Sequence, residues 1–281
     1  MNLSFLKKFP GFLLLLGTHA LFAQESTFTN RIGMEFVLIQ PGSMIVGRFQ
    51  PPYPHQPQPT EASKKSEPGM PWTQQDYQLA ETLVKQDARP GFTVKINRPY
   101  YIGKFEVTQA QWKQVMGMNP SAFQGSKVKD EADQHPVEQV SWQDVQKFLT
   151  KLNALDKDNH YRLPTEFEWE YAARAGAQDD ISWKAIWASA QMGSTTTSKV
   201  GQKTPNAWGL YDTLGNVWEW VQDYYNEKLF ADPTGSPRTG SQHVLKGASF
   251  VGDVKNATYM THAAGPGNGW DIGFRIVMEV K

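Results

Sequence analysis

The stretch Asn206–Trp220 reads NAWGLYDTLGNVWEW and follows neither a helical nor a strand pattern. It is rich in aromatic residues, and Gly209 and Gly215 allow backbone angles that other residues resist. Asp212 and Glu219 are its only carboxylates. A segment with this composition and without periodicity predicts a structured loop rather than a long helix or strand.

The two carboxylates of this stretch have two interpretations. A loop that curls on itself could point Asp212 and Glu219 at one hard cation, with main-chain carbonyls as the remaining ligands. Alternatively, Asp212 caps a turn and Glu219 pairs with a nearby cationic side chain. The spacing alone leaves both open, because no EF-hand pattern accompanies the two residues.

Six further blocks surround this stretch in a fixed order. They are GMEFVLIQPGSMIVG (Gly33–Gly47), RPYYIGKFEVTQAQW (Arg98–Trp112), HPVEQVSWQDVQKF (His135–Phe148), YRLPTEFEWEYAARAG (Tyr161–Gly176), LKGASF (Leu245–Phe250) and IGFRIV (Ile272–Val277). With NAWGLYDTLGNVWEW, they resemble the formylglycine-generating, sulfatase-modifying family. The resemblance covers nearly the whole chain outside residues 50–95. It implies an α+β fold, a variant of the C-type-lectin type with short helices and strands and little regular secondary structure.

The resemblance also implies a structural calcium ion. Its ligands would be the side chains of Asp212 and Glu219 and the main-chain carbonyls of Gly215 and Val217. The family has a second calcium site upstream, which would fall around residues 187–200. The ligand pattern of that second site is not recognisable in this sequence, so only the first is expected here.

The complete absence of cysteine bears on the reaction. In the formylglycine-forming enzymes, two cysteines that follow a KGGS-like block bind copper and use oxygen to oxidise a substrate cysteine. The corresponding positions here are Gly252 and Ala257, and neither can supply the thiolate that a copper(I) site requires. Formylglycine formation by that mechanism is therefore not expected. We expect neither copper nor a nucleotide cofactor.

Residues that could carry other chemistry lie in the final segment. The catalytic candidates are Asp253, His262 and Ser249, and the substrate-binding candidates are Tyr259, Trp270 and Asp271. An acid–base group beside stacking rings would suit oxidation or tautomerisation of a planar aromatic substrate. Structural roles are the alternative, because Ser249 could bond to backbone and Asp253 could cap a turn. Asp271 could equally pair with Arg275.

The N-terminus has the pattern of an export signal. Lys7 and Lys8 precede an apolar run that ends at Leu16, and a small-residue cleavage site ends at Ala23. This predicts a signal peptide at residues 1–23 and a periplasmic location for the remainder. Cleavage is favoured over an uncleaved anchor because the apolar run is too short to span a bilayer comfortably. The formal net charge of zero does not indicate binding to nucleic acid or to an anionic membrane.

Residues 24–281 are predicted to form a single domain with an insertion at about 50–95. Residues 50–72 are proline-rich, and Thr73–Asp87 has a helical pattern. The insertion could be a lid or a groove wall, or merely a tolerated surface excursion. Three further helices have clear N-caps at Thr108, Ser141 and Thr165, with Gly117 ending the first and Gly176 the third.

Within the family, the chain is most similar to a cysteine-free branch that matures pyoverdine siderophores in the periplasm of pseudomonads. This similarity implies oxidation, or tautomerisation, of a dihydropyoverdine chromophore, which loses two electrons and two protons. The partner would be a peptide-siderophore precursor, together with other periplasmic maturation enzymes. The alternative is a non-catalytic module that binds a peptide or glycan on the same scaffold.

Overall fold

The computed structural model describes residues 25–47, 91–176, 181, 183–229, 239–254, 258–259 and 261–280. The predicted signal peptide, the proline-rich stretch, the predicted helix at residues 73–87 and Ala257 lie outside this part of the chain. Within it, none of the helices has the length and apolar character needed to cross a membrane.

The strands are short and form three sheets. Their bounds are β1 Thr27–Thr29, β2 Glu35–Ile39, β3 Gly42–Val46, β4 Phe92–Ile96, β5 Tyr100–Gly103, β6 Tyr161–Arg162, β7 Trp218–Tyr224, β8 His243–Lys246, β9 His262–Ala264, β10 Ile272–Gly273 and β11 Val277–Glu279. The first sheet is antiparallel, in the order β1-β2-β5-β11-β6. The second has the order β10-β7-β8-β9, in which only β10 and β7 are parallel. Strands β3 and β4 form a separate antiparallel pair.

The β3–β4 pair brackets the predicted insertion. Gly42 pairs with Ile96 and Val46 pairs with Phe92, so the two flanks of the excursion are hydrogen-bonded to each other. Residues 92–96 alternate between the two faces of a strand, and the insertion at about 50–95 stays a prediction.

The helices confirm the predicted starts. Their bounds are α1 Gln109–Met116, α2 Trp142–Leu155, α3 Glu166–Ala173 and α4 Trp183–Ser189, with 3₁₀ turns at Gly125–Lys127 and Ala132–Gln134. Thr108, Ser141 and Thr165 each form a complete capping box. Gly117 ends α1 in the left-handed region. The sequence analysis did not predict α4.

Helix α3 ends at Ala173, three residues before the predicted Gly176. The amide of Asn206 donates to the carbonyls of Ala172 and Ala173, at 2.8 and 2.9 Å, and satisfies backbone groups that a longer helix would have paired. Gly176 still has a positive φ of 66°, and a Cβ there would lie 2.6 Å from the Trp208 ring. Gly176 N donates to Tyr171 O at 3.0 Å, so the glycine belongs to the turn that closes the C-terminal end of α3, as predicted.

Three apolar clusters hold the elements together. The largest packs α1 and α2 between the two main sheets, and within it Trp112 stacks on Phe148 with ring centroids 5.2 Å apart. A second joins α3 to the first sheet and the β3–β4 pair. The third lies between α3, α4 and the second sheet, with Trp169 and Ile186 at its centre. Antiparallel sheets with segregated helices are an α+β architecture, as predicted.

Candidate functional site

A cleft of about 460 Å³ opens beside the turn that follows β8. It is lined by Trp187, Ala190, Met192, Gly193, Lys203, Val251, Gly252, Asp253 and Val254. Trp187 and Val251 remain 42% and 54% exposed, which is high for large apolar side chains. Small-molecule sites are typically concave and have volumes in this range.

Backbone hydrogen bonds fix both walls of the cleft. On one wall, Thr204 N donates to Ala188 O at 3.1 Å, which holds the segment bearing Lys203 against α4. On the other, Gly193 N donates to Gly252 O at 2.9 Å. Because these bonds use main-chain atoms, side chains on the walls can change without dismantling the cleft.

By the resemblance described above, Gly252 corresponds to the first copper-binding cysteine of the formylglycine-forming enzymes. A Cβ built here would lie 3.2 Å from Ser249 O and 3.5 Å from Met192 Sδ. The thioether of Met192 therefore borders the place where the thiol would project. The second cysteine position, Ala257, lies outside the described residues.

The structure places two of the predicted residues on opposite sides of that turn. Asp253 is exposed on the cleft wall. Ser249 is buried, and its hydroxyl donates to Asp271 Oδ2 at 2.9 Å. The alternatives in which Ser249 bonds to backbone and Asp271 pairs with Arg275 are therefore not observed.

Trp270 forms an aromatic platform next to the cleft. Its ring packs on Phe250 and Phe123, with centroid distances of 5.3 and 6.2 Å, while 47% of the residue remains exposed. Beneath this platform, burial raises the pKa of Glu138 to about 6, although Phe123 N donates to its carboxylate. The platform could hold a ring or chain that extends out of the cleft.

Tyr259, a predicted substrate-binding residue, is buried in the core. It is 3% exposed, belongs to the third apolar cluster and does not line the cleft. Burial raises the pKa of its hydroxyl to about 12, against hydrogen bonds to Ser189 and Thr213. The ring packs inward between α4 and the second sheet, and the substrate-binding role of Tyr259 stays a prediction.

His262 lies outside the cleft lining and faces a buried chain of charges. Its Nδ1 is 3.0 Å from Glu166 Oε1, and its ring centroid is 5.1 Å from that of Tyr225. The ammonium nitrogen of Lys246, on the neighbouring strand, lies 3.7 Å from Glu166 and 3.2 Å from Glu170. This arrangement places His262 against the buried charged residues of α3 and β8, and not among the residues that line the cleft.

The four predicted calcium ligands lie near a buried arginine. Arg275 Nε and Nη2 donate to the two oxygens of Glu219, each at 2.6 Å, and Trp169 Nε1 donates to Oε2, also at 2.6 Å. Asp212 Oδ2 accepts from Gly201 N at 2.6 Å, while Oδ1 is buried without a hydrogen-bond partner.

This donor set does not fit calcium as it is arranged. Asp212 Oδ1 could ligate a cation, but both Glu219 oxygens already accept charge-assisted hydrogen bonds. No group of three or more acidic, histidine or cysteine side chains within the described ranges could hold a metal ion. The observed pairing is the alternative in which Glu219 meets a cationic side chain. A calcium ion at these residues stays a prediction, and no step proposed below uses it.

A further buried carboxylate, Glu106, completes this polar core. It accepts from Asn216 Nδ2 at 2.6 Å and from Val217 N at 3.1 Å. Burial holds its pKa well above the usual range, with the charges of Asp212 and Glu219 adding to the effect and Arg275 opposing it. Burial likewise raises the pKa of Asp212 to about 6. The loop Asn206–Trp220 is thus anchored by internal hydrogen bonds.

Sequence reasoning missed the residues of the α4 wall. Trp187, Met192 and Lys203 come from a short unpredicted helix and from loops, and all three lie 50 or more residues before Asp253 in the sequence. The one signal in the sequence was the resemblance, which matches Gly252 to a cysteine of the family and so indicated the turn but not the α4 wall.

The comparisons with known proteins agree with this fold. Residues 23–280 match the profile of the sulfatase-modifying factor enzyme 1-like domain. A chaperone protein LppX from Paenibacillus barcinonensis is 29% identical, with 63% of this chain and 79% of that protein covered. A formylglycine-generating enzyme from Streptomyces coelicolor is 38% identical over 42% of each chain. This chain therefore matches less than half of that enzyme's length.

Among solved structures, PvdO from Pseudomonas aeruginosa superposes with a TM-score of 0.66 at 20% identity. The alignment covers 92% of this chain and all of that one. At this identity the likeness establishes the fold alone. With nearly the whole chain matched by one family profile, the protein belongs to the sulfatase-modifying factor enzyme 1-like domain family.

Proposed function

We propose that this chain matures the catechol-bearing chromophore of a pyoverdine-type peptide siderophore in the periplasm. The observation that carries the proposal is the cleft at Gly252, where a cysteine-free turn presents Asp253 in the same cleft as the exposed ring of Trp187. The cleft occupies the place of the family's oxidase chemistry without the family's thiols. The structural likeness to PvdO and the resemblance to the cysteine-free branch support the same reading.

The cleft suits a flat, fused ring. Its volume of about 460 Å³ falls within the range of small-molecule pockets, and Trp187 offers a ring face for stacking. A peptide attached to the ring could continue over the neighbouring platform of Trp270. The substrate would thus be held at two points, one for the chromophore and one for its peptide.

The reaction balances with dioxygen as the oxidant. The dihydroquinoline precursor gives up two electrons and two protons to form the conjugated chromophore, and dioxygen takes both to become hydrogen peroxide. The carboxylate of Asp253 would accept the first proton from the ring. General bases of this kind contribute about 10²- to 10⁴-fold to a rate. Dioxygen reacts with the resulting electron-rich anion, so the protein's role is to bind, orient and deprotonate.

An absorbance and fluorescence time course tests the proposal. Purified mature protein is mixed with dihydropyoverdine in air, and formation of the fluorescent chromophore is followed against a protein-free control. We expect rapid conversion by the wild type and a loss of at least 10²-fold with Asp253→Asn. Asp133→Asn, which neutralises an exposed carboxylate outside the cleft lining, is the matched control and should retain the wild-type rate. A wild-type rate equal to the protein-free rate would reject the proposal.

The variant His262→Ala tests whether His262 contributes to the reaction rate or only to the stability of the fold. Since His262 faces Glu166 and does not line the cleft, we expect its removal to lower stability more than the rate per folded molecule. A rate loss comparable to that of Asp253→Asn, in protein that remains folded, would transfer the role of the base to the imidazole.

A second candidate is a non-catalytic binding module for a peptide. The similarity to a protein named as a chaperone favours it, as does the absence of a thiol nucleophile in the cleft. This function predicts binding of the precursor or another peptide without turnover. Saturable binding together with a protein-free rate of chromophore formation would identify it.

A further inference from the structure

The charged lining of the cleft is divided between its two walls. Asp253 belongs to the turn after β8, whereas Lys203 belongs to the segment tied to α4. These are the two charged side chains among the lining residues. In the described part of the chain, no carboxylate forms an ion pair with Lys203, so its ammonium group can meet a ligand without first breaking one.

Lys203 and Trp187 are held next to each other by the backbone. The hydrogen bond from Thr204 N to Ala188 O joins the residues that directly follow them in sequence. A ring face and a cationic nitrogen therefore lie on the same wall. An aromatic ligand stacked on Trp187 would have its substituents within reach of the flexible lysine side chain.

We infer that Lys203 and Trp187 are the specificity-determining pair of the cleft, and that they select a catechol-type ring. This inference rests on the proposed function, since it names the part of the substrate that the same site recognises. Trp187 stacks on the ring, and Lys203 donates hydrogen bonds to the vicinal ring oxygens. An unsubstituted ring offers no oxygen to accept from Lys203, and a ring ether accepts from it but cannot ionise to a phenolate, so both bind less tightly than a catechol.

The pair also has a chemical consequence for the proton transfer. A cation next to a phenolic oxygen stabilises the phenolate and lowers the pKa of that hydroxyl. Loss of the hydroxyl proton to Asp253 then becomes easier, and the electron-rich anion is the species that dioxygen oxidises. Lys203 thus acts as a positioning and electrostatic residue, while the proton goes to the carboxylate on the opposite wall.

Binding of two simple ring probes tests the inference without turnover. The dissociation constants of catechol and of its dimethyl ether, 1,2-dimethoxybenzene, are measured by calorimetry. A charge-assisted hydrogen bond predicts that the wild type prefers catechol by about tenfold or more. Lys203→Met should abolish that preference, whereas Trp187→Ala should weaken both probes. Lys199→Met is the matched control, because Lys199 lies on the surface 2.8 Å from Glu131 and outside the cleft lining.

Each other result overturns the inference. A preference that survives in Lys203→Met removes the lysine from recognition, and equal losses in Lys203→Met and Lys199→Met reduce the effect to net charge. Probes that do not bind the wild type, or that bind Trp187→Ala unchanged, exclude the ring site itself.

Turnover of dihydropyoverdine then separates this inference from the function on which it rests. If Lys203→Met matures dihydropyoverdine at the normal rate and the wild type shows no preference for catechol, the proposed function stands and the recognition pair Lys203–Trp187 is rejected. A Lys203-dependent catechol preference in a protein that does not accelerate maturation keeps the recognition pair and rejects the oxidation.

Discussion

The loop around Asp212 and Glu219 and the turn around Gly252 differ in how their polar groups are satisfied. In the loop, both Glu219 oxygens and most of the Arg275 donors are hydrogen-bonded inside the protein, and both residues are completely buried. At the turn, Asp253 is exposed and a cleft of about 460 Å³ separates it from Lys203. The loop that identifies the family serves the fold, whereas the less distinctive turn offers room for a ligand.

The largest expected effect comes from removing the cation of the buried core. Arg275→Met would leave Glu219 and Glu106 buried without their positive partner, which costs about 3–5 kcal/mol of unfolding free energy. Urea denaturation measures the loss. A change below about 1 kcal/mol would mean that the core does not depend on this pair, and the contrast with the cleft would disappear.

Trp169→Phe is a milder change to the same core. It keeps the packed ring in the third apolar cluster and deletes the indole N–H that donates to Glu219 Oε2. Because Glu219 retains Arg275, we expect a loss of about 1–2 kcal/mol in denaturant unfolding. A loss as large as that of Arg275→Met would show that the indole, rather than the guanidinium, holds the carboxylate.

The local features of this molecule could be predicted from the sequence, whereas contacts between residues far apart in the chain could not. The capping boxes at Thr108, Ser141 and Thr165 involve residues three apart, so their pattern is visible in the sequence. The pairing of Arg275 with Glu219 joins residues 56 apart, and no local pattern distinguishes Glu219 from Asp271 as the partner. The fold followed from the ordered blocks, because they are the residues that build the core.

The candidate site was predictable only in part for the same reason. Gly252 and Asp253 could be located from their distance to the LKGASF block, which is local. The burial of Tyr259 was not predictable, because the direction of a side chain next to a short strand cannot be inferred from the sequence. Lys203 and Trp187 meet the turn only through tertiary packing, and a seven-residue helix such as α4 leaves a weak periodic signal.

The pH dependence of the unfolding free energy tests a buried carboxylate that lies between the two regions. Burial raises the pKa of Glu138, beneath the Trp270 platform, from 4.5 to about 6. The native state therefore holds this proton more tightly than the unfolded chain. Its contribution to stability is complete below pH 4.5 and is lost as the pH rises through 6.

Glu138→Gln isolates this contribution. Between pH 4.5 and 7, the unfolding free energy of the wild type should fall by up to about 2 kcal/mol more than that of the variant. Unfolding by urea at several pH values measures the difference. Parallel pH profiles for the two proteins would place the ionised Glu138 in a better-solvated setting than the structure shows.

Metal addition gives the smallest expected effect. Because Glu219 is saturated by Arg275 and Trp169, we expect the melting temperature to be the same in excess calcium and in a chelator. A melting temperature that rises with calcium concentration would mean that the ion displaces the guanidinium from Glu219. The family's calcium site would then exist here, and the loop would need a bound ion in addition to its internal hydrogen bonds.

The central claim is that the cleft at Gly252 holds the substrate, and a single introduced thiol tests it most directly. The chain has no cysteine, so Gly252→Cys creates one labelling position in the cleft, and Leu155→Cys creates a matched one at an exposed site elsewhere. Each variant is alkylated with a bulky maleimide, and binding and maturation of dihydropyoverdine are measured before and after. The account predicts that labelling at residue 252 abolishes both while labelling at residue 155 changes neither. Unchanged binding and maturation after complete labelling at residue 252 would contradict it.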